Sequence, residues 1–110
     1  MIYTKDNPKL VGFFLDFEDK DIFTGVVKDR YNTIAYYLNG KSHRTDGPAI
    51  TYASGEKQWW LNDRRHREDG PAVELSHDSK EWWLNGKAYG HNDDYTNESW
   101  IRFVKLELLK

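Results

Sequence analysis

An aromatic-aromatic-Leu-Asn/Asp motif recurs four times in this chain, each time 23 residues after the last. The copies are Phe13-Phe14-Leu15-Asp16, Tyr36-Tyr37-Leu38-Asn39, Trp59-Trp60-Leu61-Asn62 and Trp82-Trp83-Leu84-Asn85. No insertion disturbs the phase. Self-similarity at a fixed period marks one supersecondary unit, used repeatedly, that must stack on its neighbours to bury an apolar face.

The second and third copies are nearly the same through Tyr37–Ile50 and Trp60–Val73. Both run from Leu-Asn through His-Arg-x-Asp-Gly-Pro-Ala into a short apolar/polar alternation, Ile50 and Tyr52 in one and Val73 and Leu75 in the next. Alternation over so few residues predicts strands. Asn32, Gly55 and Asp78 share one phase of the repeat, between two strand-like runs. All three residue types tolerate a left-handed backbone, so each is expected to make a tight hairpin turn. A second turn phase holds Gly40, Asp63 and Gly86, and a third holds Gly47 and Gly70, each followed by proline. Proline donates no N–H, so it should open a strand and not sit within a central ladder.

The expected fold is mainly β, an antiparallel meander of tandem β-hairpin repeats with a C-terminal α-helix. Residues 1–92 would form a four-copy domain, with copies near 13–35, 36–58, 59–81 and 82–92, the first and last atypical. At the histidine phase stand Lys20, His43, His66 and Tyr89, and at the glycine-before-proline phase Thr24, Gly47, Gly70 and Asp93. Such decay at the ends is expected of capping copies. Residues 93–110 would pack on the sheet as a helix: Trp100, Phe103, Val104 and Leu108 fall on one helical stripe. Asp94 or Thr96 would cap it. Val104, Leu106 and Leu108 also alternate, which leaves a strand as the alternative reading. Each aromatic pair should send one ring to each sheet face. Tyr37, Trp60 and Trp83 form one stripe, and Tyr36, Trp59 and Trp82 the other. Either the sheet rolls up or another element covers it.

Composition excludes several function classes. The chain has no cysteine, which removes disulfide frameworks and thiolate metal sites. Its formal net charge is -2, so no general field for polyanions is implied, and nucleic acid is not an expected partner. No apolar run approaches the ~20 residues of a membrane span. The acidic cluster Asp16, Glu18, Asp19 and Asp21 reads as a solvated terminal cap.

His43, Arg44 and Asp46, with their copies His66, Arg67, Glu68 and Asp69, are the residues that most resemble a reactive cluster. Equivalent residues two strands apart lie ~10 Å from one another, too far to share a metal with ligand distances of ~2.0–2.2 Å. Asp46 and Asp69 are expected to bond loop amides as Asx turns do, with His and Arg packing on the neighbouring loop. A glycosidase pair is rejected because nothing marks one carboxylate as acid and the other as base. Recurrence also argues for a structural role, since an active site normally occurs once. No catalytic residue, metal or cofactor is expected.

Tyr36, Tyr37, Trp59, Trp60, Trp82 and Trp83 would supply contact area wherever the core does not bury them. His43, Arg44, His66, Arg67 and Glu68 would add polar specificity at one rim.

The aromatic, Asn-Gly and turn-glycine pattern resembles the MORN-type repeat class. Trp83-Leu84-Asn85-Gly86-Lys87 and His66-Arg67-Glu68-Asp69-Gly70-Pro71-Ala72 are similar to a variant found in proteins of tailed phages and giant viruses. The resemblance covers Ile34 to Gly90 well and Leu10 to Asp29 weakly. It implies tandem hairpins and a protein-interaction or dimerisation module, not a catalyst. The Asp-Gly-Pro-Ala segment departs from the common MORN pattern, so lipid binding is not carried over. The leading expectation is therefore a non-enzymatic viral module that binds a host or viral protein and blocks or scaffolds it, for instance a host-defence complex. Its expected location is the cytoplasm, that of the host cell for a viral chain. A self-associating structural protein (a homodimer, or one attached to the virion) is the second reading. Binding of single-stranded nucleic acid or glycan on the tryptophan stripes is the third.

Overall fold

A computed structural model describes residues 23–110. The first motif copy, Phe13–Asp16, together with Lys20 and the acidic cluster, lies outside the described residues.

The described residues form an antiparallel β-meander followed by a C-terminal helix. Its strands are β1 (Gly25–Lys28), β2 (Ile34–Leu38), β3 (Lys41–Ser42), β4 (Ile50–Thr51), β5 (Lys57–Gln58), β6 (Trp60–Leu61), β7 (Arg64–Arg65), β8 (Val73–Glu74), β9 (Lys80–Leu84) and β10 (Lys87–His91). A 3-10 turn at Asn92–Asp94 leads into α1 (Asn97–Leu108). The main sheet runs β1-β2-β4-β5-β8-β9-β10, with β3 paired to β2 beside β4. Strands β6 and β7 form a separate two-stranded ribbon.

The meander forks at its aromatic pairs. Tyr36 donates its N–H to Ala49 and accepts from the N–H of His43, so β2 splits between β4 and β3 at that residue. Trp59 repeats the arrangement with Ala72 and His66. Each fork has two hairpins. One turns at Asn32, Gly55 or Asp78, where φ is 67°, 98° and 71°. The other turns at Asn39-Gly40, Asn62-Asp63 and Asn85-Gly86, where both residues are left-handed in every copy. That conformation suits the tight primed hairpin and is cheapest for Asn, Asp and Gly. The turn phase at Gly40, Asp63 and Gly86 thus closes a second hairpin in each copy. The alternation after it is too brief for periodicity to reveal.

Gly47 and Gly70 serve another purpose than left-handed turning. A Cβ on Gly47 would stand 3.0 Å from Cζ of Arg44, and one on Gly70 would stand 2.7 Å from Cζ of Arg67. The glycines let a guanidinium lie against the backbone.

The tail is helical. Thr96 caps α1: its hydroxyl accepts the N–H of Ser99, and the Ser99 hydroxyl oxygen accepts the N–H of Thr96. The helix begins at Asn97 and not at 93, because the 3-10 turn and Tyr95 precede the cap. Trp82, Leu84, Trp100 and Val104 form one buried cluster, with Tyr89, Tyr95 and Phe103 packed around it. Trp100 is 0% exposed and bonds Arg67 O through its indole N–H at 2.8 Å. Full burial of the indole thus leaves no unpaired donor. Leu108, expected on the buried stripe, is exposed with Leu106 and Leu109, and the buried helix positions are Trp100 and Val104. Among the described residues, no helix is long and apolar enough to cross a membrane.

Candidate functional site

The ring stripe Tyr36, Trp59 and Trp82 is covered in two ways. Arg44 lies over Tyr36 with Cζ 4.0 Å from the ring centroid, and Arg67 lies over Trp59 at 3.8 Å. Each arginine is held by its own loop. Arg44 bonds Asp46 through Nε at 2.8 Å and Pro48 O at 3.2 Å. Arg67 bonds Asp69 at 2.8 Å, Pro71 O at 3.1 Å and Glu74 at 2.9 Å. Both aspartates thus bond the arginine of their own loop, and the Asp46 carboxyl also accepts a backbone N–H. The guanidinium is a planar fork that bonds carboxylates and also stacks on rings, so both faces of its chemistry are used. The Arg44 hydrogen bond, and then its charge, holds the Asp46 carboxyl below the usual carboxylate range.

The last copy replaces arginine by a helix. One period after Arg67 stands Gly90, which leaves the face of Trp82 open. Trp100 and Tyr95 fill that space, their ring centroids 5.4 and 5.5 Å from that of Trp82. Trp82 is consequently 1% exposed and cannot offer its ring to a partner, so it belongs to the core and not to a contact surface.

The histidines join successive copies. His43 Nδ1 accepts the N–H of Asn62 at 3.2 Å, and His66 Nδ1 accepts that of Asn85 at 3.0 Å. An accepting Nδ1 carries no proton, so neutral His66 holds its proton on Nε2, 2.8 Å from Glu68. His66 is 7% exposed with both nitrogens engaged, so its ring offers a partner little surface where it lines the groove between the loops. Thr24 does the same for the first described turn: its hydroxyl accepts the N–H of Asn39 at 2.9 Å. In the last copy Tyr89 stands at the histidine phase and reaches Glu107 on the helix at 3.3 Å.

Arg44, Asp46, Trp59, Arg67, Glu68 and Asp69 line a groove of about 530 Å³ between two successive loops. Its walls bring together most of the expected rim residues. Both of its arginines and both of its aspartates are already ion-paired within the groove walls. Among the described residues no group of three or more His, Asp or Glu side chains is placed to hold a metal ion.

The opposite stripe, Tyr37, Trp60 and Trp83, differs. Tyr37 packs edge-on against Phe23, their centroids 6.0 Å apart. Burial, followed by the Asp63 carboxylate, pushes the Tyr37 phenol up. Trp60 and Trp83 are each anchored by an indole N–H bond to the residue two positions earlier, Gln58 and Glu81, both at 2.9 Å. Arg65 stands between them, with Cζ 5.0 Å from each ring centroid. It was not among the expected contact residues. The signal was its phase: the equivalent positions are Ser42 and Ala88, so the arginine occurs in one copy alone.

No family model matches the sequence, no curated protein matches it, and no solved structure matches it.

Proposed function

We propose that this chain is a non-enzymatic protein-interaction module of a MORN-like kind, acting as a viral protein that binds a host protein and blocks or scaffolds it. The observation that carries the reading is the asymmetry of the sheet. Helix α1 packs beside Trp82, while Trp60, Arg65 and Trp83 form a braced ladder that no described helix covers. Tryptophan and arginine are the residues most enriched at binding hot spots. Rings already fixed by Gln58 and Glu81 lose little rotamer freedom on association.

The test is capture of partners from host-cell lysate by the wild-type chain and by W60S/W83S, with circular dichroism to establish that the variant is folded. A protein retained by the wild type and lost by the folded variant supports the reading. Equal retention by both overturns it. Recovery of the chain alone, with mass rising with concentration in light scattering, supports self-association instead.

A further inference from the structure

We propose that the groove at Arg65 is a receptor for one carboxylate side chain, Asp or Glu, on an acidic segment of a partner protein. The inference rests on the interaction-module reading and names the chemistry that its half-buried ladder selects.

Three observations support it. First, Arg65 is the clamped arginine without an acid. Arg44 and Arg67 each carry a carboxylate at 2.8 Å, whereas among the described residues the Arg65 guanidinium has no hydrogen bond and no ion pair. Among the described residues its buried Nε has no hydrogen-bond partner, and Arg65 lines a groove of about 380 Å³ together with Trp60 and Trp83. A stacked guanidinium is oriented, and its remaining N–H edge matches a carboxylate in a bidentate fork. Second, the groove has a local cationic excess. Among the described residues Arg64 also lines it, exposed and without an ion pair, and the acid in the lining, Asp63, accepts the N–H of Ser42 at 2.7 Å. Third, Arg65 breaks the repeat. Residues that hold the copies together recur with the period, as His43 and His66 do, but this site has Ser42 and Ala88 at its equivalent positions. A feature present once in a repetitive scaffold marks one place along it.

The charge distribution favours a protein carboxylate over a nucleic-acid backbone. A polyanion needs a track of cations, and its affinity grows with the number of phosphates neutralised. Here two arginines stand alone on a chain of net charge -2, and the loops of the other face end in the exposed carboxylates of Asp46, Glu68 and Asp69. One acidic side chain set against the Arg65 guanidinium, beside the two tryptophan rings, fits that geometry.

The experiment uses the full-length ¹⁵N-labelled chain and follows the Arg65 Nε–H and the Trp60 and Trp83 indole N–H resonances. The probes are a capped Glu-Gly-Glu-Gly-Glu peptide, its Gln counterpart, and oligothymidylate. Saturable shifts at these three resonances with the Glu peptide, about tenfold weaker with the Gln peptide, are expected. They should diminish with added salt. R65Q should abolish them, and R65K, which keeps the charge without the fork, should leave a weakened response. The backbone amide spectrum shows whether each variant is folded, and R64Q provides a second reading if R65Q is not. Equal shifts from both peptides, stronger shifts from oligothymidylate, or none at these resonances would overturn the carboxylate site. If they are absent while W60S/W83S still loses its captured partner, the interaction module stands and only the carboxylate chemistry falls.

Discussion

His66 accepts the backbone N–H of Asn85 on Nδ1 at 3.0 Å, a bond between the loop of one copy and the turn of the next. The same bond joins His43 to Asn62. The imidazoles are therefore stitches between hairpins, with their acceptor nitrogen occupied. A general base at either position would have to break the seam.

Substituting His66 by Ala removes a buried ring and leaves the Asn85 N–H without its acceptor. The expected loss is about 1–3 kcal/mol in urea unfolding. H43A should lose less, because the Asn62 N–H it leaves behind can bond water. Equal and negligible losses for both variants would remove the stitching role.

Gly70→Ala places a methyl group 2.7 Å from a guanidinium held by Asp69, Pro71 O and Glu74. Arg67 must leave the Trp59 ring or the loop must shift, and the expected cost is about 1–3 kcal/mol. In an R67A background the same substitution should cost much less. A double-mutant cycle from thermal melts tests the coupling, and additivity within about 0.5 kcal/mol would show that the glycine is not there for the arginine.

Trp100→Phe retains most of the ring volume against Trp82 but removes the donor to Arg67 O. A buried carbonyl that loses its partner costs about 1–3 kcal/mol, and W100A, which also opens a cavity, about 3–5 kcal/mol. Near-ultraviolet circular dichroism on heating reads both. A W100F variant as stable as wild type would show that packing alone secures the helix.

The Asp46 carboxyl should titrate below the ordinary aspartate range, and R44M should bring it back up. A folded-state value below the unfolded one contributes stability above the unfolded range and loses it as the pH falls through the folded value. The effect on unfolding should be slight, because the side chain is 81% exposed. Carbon-detected titration of the carboxyl resonance measures the shift, and an identical midpoint in R44M would mean that the arginine does not set it.

Local chemistry made much of the architecture legible. Asn32, Gly55 and Asp78 announced hairpin turns because few residue types accept that backbone, and the Trp100-Phe103-Val104 spacing announced a helix face. Contacts beyond the local turn were harder. Asp46 and Asp69 read as turn formers because spacing shows what a residue can reach in its own loop. It does not show that each is paired to an arginine two residues away that is itself fixed over a ring eight residues earlier, Tyr36 or Trp59. Arg65 was obscured for the same reason, since one of its two rings belongs to the next copy. The forks at Tyr36 and Trp59 were hidden because a two-residue ladder carries no periodicity.

Gly90 also sets a rule for how this array can change length. A further copy joined after Tyr89 would need an arginine at that position, where even a Cβ meets Asp94 at 2.9 Å and Tyr95 at 3.2 Å. New rungs have to be spliced in upstream of Trp82, with the terminal Tyr89-Gly90-helix cassette carried along intact. The cassette acts as a stop codon written in side chains: it terminates the ladder at a defined rung and fixes how far the Arg65 groove lies from the end.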